Sequence, residues 1–180
     1  MIIMKAINIF ILLMFLVGFC CCDDEENIHV EEEGPRRDYD INSTDPVKKI
    51  VSEFFFNTGK EFIVDPDSSD YLYNFAEKNG VKMYPVSDAN RDYLLSTVQL
   101  IKSGFLDCYT TEFVKENFPY SVIIADTIYD TGTYLTPKIV DNIARINYYG
   151  VNVAGKANLD LAEQKAFLAL VHYDFFNTYV

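Results

Sequence analysis

Few cysteines, few histidines and few basic residues are present in this chain, and each shortage removes a class of function. Among 180 residues there are four Cys and two His. Three of the cysteines, Cys20, Cys21 and Cys22, are consecutive near the start, and only Cys108 lies elsewhere. The body of the chain therefore has no partner thiol for a disulfide and no set of thiolates for a cysteine-based zinc site. Cys108 carries no local nucleophile signature, and a Cys–His pair would have to join it to His172. Its sequence context reads as a buried structural thiol. Lys and Arg number 15 against 27 Asp and Glu, a formal net charge of −12. Such a surface repels nucleic acid, and Arg36-Arg37, the only adjacent arginine pair, does not offset it. A Gly-rich phosphate loop, a G-x-S-x-G elbow, a spaced acidic calcium loop and internal repeats are all absent.

What is present starts at the N-terminus. Lys5 is the only charge before the cysteines, and Ala6 to Phe19 is apolar apart from Asn8. A basic residue followed by an apolar run of this length reads as a secretory signal. Three readings fit the segment. An uncleaved membrane anchor needs about twenty apolar residues, which Met1 to Cys22 nearly supplies if Lys5 snorkels. A cleaved signal without lipid leaves the cysteine triplet unexplained. A bacterial lipoprotein signal accounts for the triplet, because there the thiol takes a lipid and the cut falls just before it. Cys22, with small residues before it and acids after it, is the favoured anchor, and Cys20 and Cys21 are the alternatives. Residues 1–21 are then signal, and the mature protein belongs to the cell envelope, at the outer membrane.

Residues 22–44 read as an acidic tether. Asp23–Glu26 and Glu31–Glu33 put seven acids into eleven residues, with few apolar groups to bury. Acids directly after a lipidated cysteine resemble the signals that send some lipoproteins to the cell surface. Asn42-Ser43-Thr44 matches a glycosylation sequon, a motif frequent by chance.

Residues 45–180 read as one α+β domain, with helices flanking strands that do not alternate regularly with them. Asp45-Pro46 is a helix start, Val47, Ile50, Val51, Phe54 and Phe55 give it one apolar face, and Gly59 ends it. Strands are expected at Glu61–Val64, Tyr71–Phe75 and Val81–Val86, separated by Asp65-Pro66-Asp67 and Asn79-Gly80. A second helix is expected from Ala89 to Phe105, capped by Ser87 or Asp88, and a third from Thr111 to Asn117. Tyr120–Ala125 is the clearest strand, apolar enough to be internal. Tyr129–Thr133 reads as a loop and Arg145–Val153 as a strand. A last helix runs from Asp160, paired with Glu163 in a capping box, to Asn177, and its apolar composition on every side predicts burial all round.

Candidate chemistry gathers at the end of that helix. Zinc proteases of the H-E-x-x-H type place two His at i and i+4, with the Glu beside the metal-bound water. Here His172 has Phe176 at i+4. The other register, Tyr173-Asp174-x-x-Asn177, has the spacing but no imidazole, and Tyr and Asn are poor zinc ligands. From the residues alone, no zinc is expected. Asp126 and Asp130, near a strand end, are candidates to line a cleft.

The strings Tyr71-Leu72-Tyr73-Asn74-Phe75, Tyr84–Asn90, Phe105–Tyr109 and Glu112–Asp126, in that order behind a lipoprotein start, resemble a known family. It is the lipid-anchored zinc-binding metallopeptidase family of Gram-negative bacteria, often found beside outer-membrane nutrient-import systems. The resemblance spans roughly Asp45 to the C-terminus. It implies a zincin-like fold, a few-stranded sheet packed by helices, with the last helix equivalent to the family's His-Glu-x-x-His helix. The family's first metal His falls on Tyr173, its catalytic Glu on Asp174 and its second His on Asn177. Both ligands are replaced, and Asp is one methylene shorter than Glu. The resemblance thus implies a degenerate, C-terminally shortened member that binds rather than cleaves, with import-system proteins or glycans as partners. The alternatives are a metal-dependent peptidase using zinc at an atypical site around His172 and Asp174, and a non-functional gene remnant. A further expectation is an exposed apolar patch at Phe175, Phe176 and Tyr179.

Overall fold

Ser121 to Ala125 and Tyr148 to Asn152 are buried at every position, as strands with both faces covered must be. Around them the computed structural model, which describes residues 37–72, 80–132 and 136–180, builds a mixed α+β unit from Asp38 to Val180. In chain order the helices are α1 (Pro46–Thr58), α2 (Ser68–Tyr71), α3 (Leu94–Gly104), α4 (Thr111–Asn117) and α5 (Leu161–Tyr179). The strands are β1 (Glu61–Ile63), β2 (Val81–Tyr84), β3 (Ser121–Ala125), β4 (Thr127–Asp130), β5 (Lys138–Val140), β6 (Asn142–Ala144) and β7 (Tyr148–Asn152). One sheet has the order β1-β3-β7-β6, with β1, β3 and β7 parallel and β6 antiparallel to β7. A second, antiparallel sheet has the order β2-β4-β5.

Alternation along β3 sorts the core into two layers, because successive side chains of a strand point to opposite faces. Val122 and Ile124 join the helix side with Val98, Ile101, Phe105, Phe167, Val171 and Phe175. Ile123 and Ala125 join Val81, Met83, Ile128 and Ile143 on the side of the second sheet. Gly150 in β7 belongs to this side. A Cβ there would lie 2.6 Å from Met83 Cε and 3.0 Å from Ile143 Cγ2, so a larger residue would displace the Met83 methyl group and crowd the neighbouring strand β6.

Local signals explain the ends of the elements. Asp45 accepts from Val47 N at 2.8 Å to cap α1. Gly59, at φ 70°, ends it by donating its N–H to Phe55 O. In α5, Glu163 N donates to Asp160 Oδ1 at 2.9 Å while Asp160 N donates to Glu163 Oε2 at 3.1 Å.

Several expectations fail for identifiable reasons. The strand expected over Tyr71–Phe75 is absent at its start, where Tyr71 ends α2; residues 73–79 lie outside the described residues. A reciprocal cap decides this turn, since Asp67 N donates to Asp70 Oδ2 at 2.6 Å and Ser69 N to Asp67 Oδ1 at 2.7 Å. The helix expected from Ala89 opens instead as a 3₁₀ turn over Asp88–Tyr93 before α3, and the Ser87 side chain caps nothing. The expected loop at Tyr129–Thr133 begins inside β4, whose polar residues pair with β2 and β5. Arg145–Val153 is a strand only from Tyr148, because Arg145 N donates to Tyr148 O at 2.9 Å and turns the chain. The compact unit starts at Asp38, with Tyr39 stacked on Phe55 at 4.1 Å, ahead of the helix cap at Asp45.

The largest correction concerns α5. It is not buried all round: Phe167, Val171 and Phe175 are buried, while Leu170 and Tyr173 are 57% and 69% exposed. A helix lying on one sheet has only one face to bury. Of the expected exposed patch only Phe176 is exposed, since Phe175 is fully buried and Tyr179 is partly so. Among the described residues no helix is long and apolar enough to cross a membrane.

Phe175 lies 4.4 Å from the Phe118 ring and 5.4 Å from that of Phe105. Phe175→Ala is expected to cost about 3–5 kcal/mol, as core aromatic truncations do. Chemical denaturation of the two proteins measures this, with an unchanged m-value showing that two-state unfolding survives.

Candidate functional site

Successive residues of an α-helix are 100° apart, so the candidate positions on α5 face different surroundings. His172 turns toward the loop after α3. Its Nδ1 lies 2.6 Å from the Tyr109 hydroxyl and its Nε2 2.8 Å from Gly104 O. A carbonyl oxygen only accepts, so Nε2 carries the proton and donates, and Nδ1 accepts from Tyr109. Both nitrogens are committed, and the imidazole also packs at 5.2 Å against the Phe105 ring. This is a satisfied, half-buried histidine. Burial pushes the Tyr109 hydroxyl up to about 12, which keeps it protonated and donating.

Asp174, two residues on, lies about 200° further around the helix. Its carboxyl sits beside the hydroxyl of Tyr149. Burial raises Asp174 above the usual carboxylate range, and the Tyr149 hydroxyl works against that shift. Tyr149 donates to Val171 O at 3.0 Å, and burial followed by the Asp174 charge pushes its own ionisation far up. His172 and Asp174 therefore do not converge on one metal or one water.

Tyr173 and Asn177, the two positions that the resemblance assigned to metal ligands, are both exposed on the outer face of α5. Among the described residues no group of three or more His, Cys, Asp or Glu is placed to hold a metal ion. The described residues around His172 and Asp174 do not supply the three protein ligands that a catalytic zinc takes beside its open position.

The other candidates separate as well. Asp126 and Asp130 flank opposite ends of β4. Asp126 accepts weakly from Ser87 N at 3.4 Å and, with Val86, Tyr93, Thr97 and Asn158, lines a shallow depression where β3 and β7 end. Asp130 is buried and accepts from Gly132 N at 2.9 Å, which closes a turn rather than a cleft. Cys108 is exposed, correcting the expectation of a buried thiol. Its Sγ lies 3.5 Å from Gly104 O, the carbonyl that also receives His172. The thiol and the imidazole thus meet at one acceptor, with no ring nitrogen left to deprotonate the sulfur. Cys20, Cys21 and Cys22 lie outside the described residues.

Three features had no sequence signal. Tyr109 is the partner of His172 across 63 residues, and nothing local announces it. Tyr179 locks the β6–β7 turn, accepting from Arg145 N at 3.1 Å and sharing its proton between Arg145 O at 2.6 Å and Tyr148 O at 2.7 Å. Glu61, fully buried in β1, keeps its Oε1 without a hydrogen-bond partner among the described residues. It lies in register with Ser121 and, one strand further, Tyr148.

Comparison of the chain with protein-family profiles, with curated proteins and with solved structures yields no match in any of the three.

Because the fold raises Asp174 above its unfolded value, its ionised form is disfavoured in the native state at neutral pH. Asp174→Asn is expected to melt higher than wild type at pH 7. That gain should vanish below about pH 4, where the carboxyl is protonated in both states. Melting curves across pH check both halves, and a variant melting lower at pH 7 would mean that the carboxylate is stabilising.

Proposed function

We propose that this protein is a non-catalytic binding protein of the cell envelope, lipid-anchored through Cys22, with a degenerate metallopeptidase-like domain. Its fold is read as zincin-like, with α5 in the place of the His-Glu-x-x-His helix. It sits at the outer membrane, facing outward, and serves a nutrient-import system by holding a protein or glycan partner rather than by cleaving one. Nucleic acid is not a partner, because the net charge of −12 opposes it.

The observation that carries the non-catalytic half is the commitment of His172. Both ring nitrogens are hydrogen-bonded inside the fold. A zinc ligand needs a lone pair free, and freeing one here breaks a bond to Tyr109 or Gly104. The residues on the ligand register, Tyr173 and Asn177, point outward instead. The anchoring half rests on the apolar run, the cysteine triplet and the acids that follow it.

Two measurements test the halves separately. Metal analysis of the membrane-extracted chain is expected to find no stoichiometric zinc, and one zinc per chain that is lost in His172→Ala would overturn the non-catalytic reading. Mass spectrometry of the same material is expected to find Cys22 as the first residue, carrying lipid. An intact Met1, or a cleaved but unmodified cysteine, would overturn the anchor.

A further inference from the structure

Helix α5 carries a second apolar face. Ala162, Ala166, Ala169, Tyr173, Phe176 and Val180 follow one another at alternating steps of four and three, the spacing of a coiled-coil seam. All six are exposed, Tyr173 by 69%, Val180 by 64% and Phe176 by 44%. They lie about half a turn away from Phe167, Val171 and Phe175, which face the sheet. No member of the seam is charged, in a chain whose net charge of −12 makes two copies repel elsewhere.

The order of sizes along the seam selects its occupant. Alanines fill the first half, and two aromatics and a valine fill the second. A parallel partner of the same sequence would set large against large at one end and leave alanine gaps at the other. An antiparallel copy centred at the level of Val171 places Ala162 opposite Val180, Ala166 opposite Phe176 and Ala169 opposite Tyr173. Small then meets large in every layer, and the two-fold axis repeats each contact, as an isologous interface requires. Leu170, 57% exposed, lies beside that axis. The 19-residue helix offers a seam of roughly 28 Å at about 1.5 Å per residue.

We propose that α5 joins two copies of this chain in an antiparallel, two-fold symmetric dimer. Sedimentation velocity of the membrane-extracted full chain in detergent is expected to find two copies per particle. Tyr173→Glu and, separately, Ala166→Glu each put a charge into the seam at an exposed position. Both are expected to give single copies with wild-type circular dichroism and a melting temperature that no longer depends on protein concentration. Ala166→Lys combined with Phe176→Glu brings opposite charges together twice across the axis and is expected to restore the pair. A single-copy wild type, or a pair that survives both glutamate variants, overturns the dimer. A double variant no more associated than its component single variants overturns the antiparallel register.

Discussion

The seating of Phe175 between the central strands and the loop after α3 fixes most of what surrounds it. Its ring meets Phe118, Phe105, Tyr149 and Tyr179 at 4.4, 5.4, 6.0 and 5.3 Å. Tyr179 lies on α5 itself and the other three rings come from three separate stretches of chain, so one side chain ties α5 to β7 and to the segments on either side of α4. Close-packed interiors tolerate little rotation of such a ring. Once Phe175 is in place, the azimuth of α5 is set, and with it the direction of every other side chain on the helix.

The chemistry of the helix follows from that azimuth. Three residues before Phe175, His172 is directed at Gly104 and Tyr109, where buried polar groups need partners and supply them to the imidazole. One residue before it, Asp174 is turned toward Tyr149. Four residues after it, Tyr179 reaches three backbone groups of the β6–β7 turn. The polar side chains of the helix's inner half thus complete the fold's own hydrogen bonds. Outward, the helix presents Ala162, Ala166, Ala169, Tyr173, Phe176 and Val180 along one uncharged line, with the exposed Lys165 and Asn177 beside it.

The elements legible in the sequence are those whose signals are local. Asp45-Pro46 with Gly59 framed α1, and the Asp160–Glu163 pair placed the start of α5, because caps act within a turn. The apolar run to Ala125 marked an internal strand, and β3 is one, parallel-paired on both sides. Strands β5 and β6 are three residues each, too short to show a period. Asp130 was a candidate to line a cleft, yet it closes a tight turn, and Asp70, which carries no local signal, closes a helical cap. At the site, the sequence identified His172, Tyr173, Asp174 and Asn177 but not Tyr109 or Tyr149, which reach the helix only through the fold.

By itself the sequence determined the acidic charge and the mixed α+β class, because composition and local spacing carry those properties. It also determined that no second histidine stands at i+4 from His172, where Phe176 lies. Only tertiary packing decided which face of α5 is buried, that His172 is consumed by Tyr109 and Gly104, and that Cys108 is exposed rather than hidden. The physical reason is that α5 is apolar on two faces while the sheet can cover only one. The choice between them rests on the ring cage around Phe175, whose members meet only in the folded chain.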